Sequence, residues 1–261
     1  MAIRTVEATR YVTPLREGGS LPAIVEADDD GMYVLKFHGA GQGPKSLVAE
    51  LIAGEIGGAL GLPVPEIVLV HLDPILANAE PDPEIQDLIR KSGGLNLGLD
   101  YLPGSLAYAP AAPPELSPEL AAKIVWFDAY TLNVDRTPRN PNLLSWHGKL
   151  WLIDHGASLY FHHNWPDAER VSASPFQMTR EHILLPFAGS IPEAGRELRP
   201  KITPELLEDI LEEVPDAWLV EDPLDRSPDQ IRVAYRDLLL ERLAAAARFE
   251  EEAERARTAG V

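Results

Sequence analysis

The sequence predicts an α+β chain with two unequal lobes. A small β-rich lobe runs to about residue 102, and a larger helical lobe, about 103–261, carries one β-hairpin. Three observations lead there. Short apolar runs punctuated by turn residues fill residues 9–72, with one helical pattern among them. A connection rich in Pro and Gly follows, from Tyr101 to Pro114. Beyond it the apolar spacing becomes helical, interrupted by NVDRTPRNPNLLSWHGKLWLIDHGASL between Asn133 and Leu159.

The elements follow in order. TRYVTPLREGGSLPAIVEA places a Gly-Gly-Ser turn between two strands. DDDGMYVLKF reads as an acidic turn and a compact strand that contains Lys36. In PKSLVAELIAGEIGGALG the apolar residues Leu47, Leu51, Ile52, Ile56 and Leu60 recur near helical spacing, and Gly61 and Pro63 stop that helix. PVPEIVLVHL is a further strand, residues 73–95 are polar and helix-like, and a short strand lies in GLNLGLDYLPG. Residues 117–133 form an amphipathic helix, with Ser117 as its N-cap and Pro118 in its first turn. After the hairpin come a loop-rich region and helices near 203–214 and 228–257.

Composition excludes several classes of function. The chain has 261 residues, 45% of them hydrophobic, enough for a substantial core in one domain. Its net charge of −18 argues against sequence-independent nucleic-acid binding, which needs cations to neutralise phosphates. It does not oppose an anionic small ligand, because a local lysine or metal overrides the global charge. Cysteine is absent, which removes disulfides, thiolate metal sites and a Cys nucleophile. The start, MAIRTVEATRYV, lacks the apolar core of a signal peptide, and no apolar run approaches a membrane span. A cytoplasmic protein that engages neither membrane nor nucleic acid is expected.

The hairpin carries the strongest chemical signal. It puts Asp135, Asn140 and Asn142 before its first strand and Asp154 after its second, with SWHGK as the turn. Both strands therefore end where two carboxylates and two amides gather. These are hard oxygen donors of the kind that Mg²⁺ prefers.

A strand, a Gly-containing turn, a lysine-bearing strand, a helix and then a helical part with this hairpin is a kinase-like order. The chain resembles the HipA-like branch of the protein-kinase-like superfamily, whose relatives include the phosphatidylinositol kinases. The motifs cover roughly residues 10–160, and the C-terminal hundred residues resemble the family only as a generic helical lobe. The resemblance implies a protein-kinase-like fold and phosphoryl transfer from ATP with Mg²⁺. Lys36 stands where kinases keep the strand lysine that meets nucleotide phosphates, and Glu50 is its expected helix partner. Glu55, five residues on, faces elsewhere on a helix. Gly18, Gly19 and Ser20 would form the phosphate-covering turn, although they do not reproduce a full GxGxxG. Leu99, Tyr101 and Leu102 would lie against the adenine.

Asp135 and Asn140 reproduce the D-x-x-x-x-N spacing of kinase catalytic loops, so Asp135 would orient the attacking hydroxyl. Strict spacing selects Asn140 as the metal-binding amide, whereas strand register selects Asn142, which directly precedes the Leu-Leu strand; both stay open, with Asn140 placed first. Asp154 in WLIDHG matches the metal-binding Asp-Phe-Gly element, with His155 in place of Phe. The family implies a protein Ser or Thr acceptor and a protein partner of toxin–antitoxin type. Two other classes remain: a small-molecule or lipid kinase, and a non-catalytic nucleotide-binding module. The adjacent His162 and His163 point apart on an extended chain and have no third ligand at a matching spacing, so they are not read as a metal site.

Overall fold

The computed structural model describes residues 2–15, 21–41, 43–109, 115–165, 168–220 and 222–260. Strands β1 (Thr5–Pro14), β2 (Ala23–Ala27) and β3 (Met32–Lys36) form an antiparallel meander. Helix α1 (Pro44–Leu60) follows, then β4 (Ile67–Leu72), helix α2 (Pro83–Lys91) and β5 (Gly94–Asp100). β5 pairs antiparallel with both β3 and β4, and β4 pairs parallel with β1. The ring β1-β2-β3-β5-β4 is therefore a closed barrel, where the sequence pointed only to a mainly antiparallel sheet. The closing pair joins residues some sixty positions apart, such as Thr5 and Leu69, and no turn between them announces it.

Side-chain alternation sets the two faces of the barrel. Val25, Tyr33, Leu35, Val68 and Val70 fill its inside as one cluster, and Ile85 and Ile89 of α2 plug one end. β1 contributes Val6, Ala8 and then Tyr11 to the same cluster, because a register shift between Ala8 and Arg10 changes which residues face inward. The interior is narrow at Gly98, which pairs with Leu35 and Val68. A Cβ there would lie 2.7 Å from Val70 Cγ2 and 2.9 Å from Val68 Cγ2.

The outward face of β3, β4 and β5 presents Val34, Lys36, Ile67, Leu69, Leu97 and Leu99, which pair across the strands. Helix α1 packs near this face and is buried on nearly every side, including Leu47, Val48, Leu51, Ile52 and Ile56. It ends as its sequence predicts, with Gly61 left-handed at φ 81° and its N–H donated to the carbonyls of Gly57 and Gly58.

Helix α1 shares one continuous core with the helices that follow the Tyr101–Pro114 connection. Strand β6 (Leu106–Ala107) leads to α3 (Pro118–Thr131), where Ser117 Oγ accepts from the Leu120 amide at 3.1 Å as the expected cap. The hairpin β7 (Leu143–Trp146) and β8 (Lys149–Leu152) pairs through β7 with β6. Next come α4 (Ala168–Ser172), α5 (Ile191–Leu198), α6 (Pro204–Glu212), α7 (Pro228–Ala244) and α8 (Ala246–Thr258). The single helix expected near 228–257 is two, broken at Ala245. Among the described residues, no helix is long and apolar enough to cross a membrane.

Candidate active site

Lys36, the last residue of β3, lies on the outward face of the barrel and is 9% exposed. Its Nζ donates to Glu50 Oε2 at 2.6 Å and to Asp154 Oδ1 at 2.7 Å. Three distant stretches thus meet at one ammonium: the end of a strand, the second turn of α1 and the residue pair beyond β8. Burial alone would pull the Lys36 pKa down, but the Glu50 and Asp154 carboxylates outweigh it and hold the ammonium charged. Lys36 in turn draws the Asp154 carboxyl below its ordinary value. Glu50 is fully buried and burial pushes its carboxyl up, against the pull of Lys36. Two carboxylates share one ammonium, and the Asp154 side chain is 44% exposed, so this end of the cluster faces outward with charge to spare.

Glu55 is elsewhere, with Glu213 and Glu66 as charged neighbours. Glu50 is fully buried and the Lys36 side chain nearly so, which makes the pair a buried one and not a surface ion pair that adds little to stability. Removing one partner of a buried pair strands the other charge. Glu50→Ala is therefore expected to cost ~3 kcal/mol, the low end for a broken buried pair because Asp154 remains beside Lys36. Urea unfolding of Glu50→Ala beside Glu55→Ala, expected near wild type, checks this.

The second cluster sits where β7 and β8 open. The Ile153 amide donates to the Asn142 carbonyl at 3.1 Å, which continues the hairpin pairing by one step and brings Asn142 beside Asp154. Both residues have left-handed backbones, with φ 49° at Asn142 and 55° at Asp154. Such values are uncommon outside glycine and are tolerated best by Asn and Asp. Asn140 and Asn142 converge on Asp135. Asn140 Nδ2 donates to Asp135 Oδ2 at 2.7 Å, and Asn142 Nδ2 reaches the same oxygen at 3.3 Å. Because the amide nitrogens face that carboxylate, each carbonyl oxygen is turned away from it. Asn140 is exposed and Asn142 buried.

Below the loop lies a network that reading the sequence missed. Arg136 is 1% exposed and Asp128, on α3, is fully buried. Arg136 Nε donates to Asp128 Oδ2 at 2.5 Å, Nη1 to the Asn142 carbonyl at 2.5 Å and Nη2 to His155 Nδ1 at 3.2 Å. His182 Nδ1 accepts from the Leu184 amide at 3.0 Å, so its Nε2 carries the proton given to Asp128 Oδ2 at 2.8 Å. Burial would raise the Asp128 carboxyl, but Arg136 and His182 hold it well below the usual carboxylate range. Asn133 adds a bond to Asp128 Oδ1 at 3.0 Å and accepts the Asp135 amide at 3.0 Å. One buried arginine thus ties the loop bearing Asp135 to Asn142 on one side of the opening and to Ile153 and His155, the neighbours of Asp154, on the other.

Gly18, Gly19 and Ser20 lie outside the described residues. Leu99 pairs with Val34 and so shares the face of Lys36, two residues along each strand. The Tyr101 amide is used by the Met32 carbonyl at 3.0 Å, and Leu102 is buried. Among the described residues, no cluster of three His, Asp or Glu could hold a metal ion. The oxygen donors of Asp154 and the two asparagines suit a hard cation that takes one carboxylate and fills its remaining positions with phosphate and water, as Mg²⁺ does.

His162 and His163 do not lie on an extended chain: they close a short 3-10 turn, Tyr160–His163, and their ring centroids are 4.5 Å apart. His162 is buried and its Nδ1 lies within hydrogen-bond distance of the Tyr235 hydroxyl, at 2.8 Å, while His163 is exposed. Burial pushes the His162 pKa down from 6.5 to about 3. The unfolded chain takes up that proton near pH 6.5 and the folded chain only near pH 3. Stability is therefore whole above pH 6.5 and falls as pH drops through that window, at up to roughly 1.4 kcal/mol per pH unit for one proton. His155, also lowered to about 3 chiefly by burial, adds to the same slope. His162→Gln is expected to flatten the slope by up to one proton, read from urea melts at pH 7, 6 and 5.

The model of the HipA-like kinase family matches residues 9–251. Among solved structures, the proinflammatory kinase CtkA of Helicobacter pylori is similar, with 12% identity, a TM-score of 0.55, and 98% of this chain and 99% of that one covered. The Golgi casein kinase with Mn and ADP bound is similar at 12% identity and a TM-score of 0.51, covering 100% of this chain and 74% of that one. At these identities the likeness speaks for the fold alone. No curated protein matches the sequence. A family match over almost the whole chain, on a kinase-like fold, means that this protein belongs to the HipA-like kinase family.

Proposed function

We propose that the chain transfers the γ-phosphoryl group of ATP, with Mg²⁺, to a Ser or Thr hydroxyl of a protein. The observation that carries this is the convergence of Asp135 and Asp154 on one end of the β7–β8 hairpin, with Lys36 bound to Asp154. Lys36, held by Glu50, neutralises nucleotide phosphate and limits its freedom to move. Asp154 and Asn142 would hold the metal; the hairpin register favours Asn142 over Asn140, since Asn142 adjoins Asp154 across the strands. Bound Mg²⁺ would supply charge stabilisation at the phosphates. Asn140 instead orients Asp135, whose carboxylate aligns the acceptor hydroxyl and accepts its proton. Val34 and Leu99, on the same barrel face as Lys36, offer the adenine an apolar surface, and the connection at Tyr101 and Leu102 borders it.

The test is nucleotide-linked stability. Mg-ATP at about 100 times its dissociation constant is expected to add roughly 2.7 kcal/mol, seen as a raised melting temperature. EDTA is expected to remove most of that gain. No shift at millimolar Mg-ATP would sink the proposal.

A further inference from the structure

A groove of about 750 Å³ runs beside the Asp135 loop. One wall is Thr137, Pro138 and Arg139, and the other is the segment from Arg180 to Pro186. The groove borders the loop that joins Asp135 to Asn140, although neither residue is part of its lining. The Thr137 amide donates to the Asp135 carbonyl at 3.0 Å, and Asn140, the residue after Arg139, donates to the Asp135 carboxylate. A ligand lying in it lies beside the loop that carries the carboxylate assigned to the acceptor hydroxyl.

Shape and charge indicate the occupant. Pro138, Arg139, Arg180, Glu181 and Pro186 are all exposed, so the groove is an open trough. Small-molecule sites, by contrast, enclose most of their ligand. An open trough suits a stretch of polypeptide. The chain has 41 acidic residues against 23 Lys and Arg, yet this trough holds two arginines and one acid, Glu181. Arg180 is engaged by Glu252, its Nη2 lying 2.7 Å from Oε1. Arg139 is exposed and makes no hydrogen bond or ion pair among the described residues. A guanidinium left unpaired on so acidic a chain presents a planar fork of donors that matches a carboxylate. Repulsion from the overall negative charge is screened beyond about 8 Å at physiological salt, so the local contact decides.

We propose that this trough receives the acceptor segment and that Arg139 selects an acidic residue near the phosphorylated hydroxyl. The proposal rests on the kinase reading above and specifies its substrate class: Ser- or Thr-containing polypeptides with a flanking Asp or Glu.

The experiment uses the full chain with Mg-ATP and a Ser/Thr peptide library in which each flanking position is Glu, Ala or Lys. One flanking position is expected to favour Glu over Lys by about ten- to a hundredfold in kcat/KM, mainly through KM, the range that a charge-assisted hydrogen bond supports. Arg139→Glu is expected to reverse that preference, and Arg139→Gln to abolish it without reversal. No flanking preference, a preference unchanged in Arg139→Glu, or loss of Mg-ATP affinity in Arg139→Gln would overturn the proposal. Transfer to small alcohols but to no peptide would overturn it too, while leaving the phosphotransferase reading intact. Failure to bind Mg-ATP or to label any acceptor would instead overturn that underlying reading.

Discussion

Asp135→Asn is expected to lower phosphoryl transfer by about 10²–10⁴-fold, the usual contribution of a positioned acid–base group. Mg-ATP affinity should stay near wild type, because Asp135 is engaged by the two asparagine amides and the role proposed for it lies with the acceptor. Asp154→Asn should behave differently. It loses a formal charge from the group that Lys36 holds in its ionised form, and it should weaken Mg-ATP binding as well as transfer. Calorimetric titration of both variants separates the two roles. Equal affinities for nucleotide would refute the division.

Arg136→Ala is expected to destabilise the fold by about 3–5 kcal/mol, the cost of leaving a buried charge without its partner. Asp128, fully buried, would keep only His182 and Asn133 as donors among the described residues. In the same step the Asn142 carbonyl would keep only the Ile153 amide, and His155 Nδ1 would lose the Arg136 donor. The hairpin mouth should therefore loosen along with the global fold. Urea unfolding gives the first effect. Hydrogen exchange at the Ile153 amide, bonded to the Asn142 carbonyl, gives the second. A change below about 1 kcal/mol would mean that the network does not hold the loop.

Much of this was legible from residues alone, for identifiable reasons. Strands with alternating burial, the Ser117 cap and the Gly61 stop are local devices, and each acts where its residue types lie. Lys36, Glu50, Asp135 and Asp154 could be singled out because the resemblance ties each residue type to a kind of element, and their order along the chain agrees. What escaped depends on contacts distant in sequence. The parallel pairing of β1 with β4 closes the barrel without a connecting turn. Asp128 and Arg136 looked like ordinary charged residues of a helix and a loop. Their pairing follows only once the loop after α3 is seen to fold back on that helix, and His182 arrives from 54 residues away. Helix α5 did carry a signal, Ser190 followed three residues on by Glu193, and the Ser190 hydroxyl does accept from the Glu193 amide at 3.4 Å. Its eight residues were lost within a loop-rich stretch. The choice between Asn140 and Asn142 stayed open because spacing and strand register disagree, and only the observed register sets Asn142 beside Asp154.

The central claim is phosphoryl transfer from ATP, and labelled transfer tests it most directly. Wild type and Asp135→Asn would each be incubated with γ-³²P-ATP and Mg²⁺, alone and with cell lysate, and labelled proteins identified by mass spectrometry. The account predicts label on Ser or Thr of one or more proteins with wild type, and its loss with Asp135→Asn. No label with wild type, or label undiminished in Asp135→Asn, would contradict it.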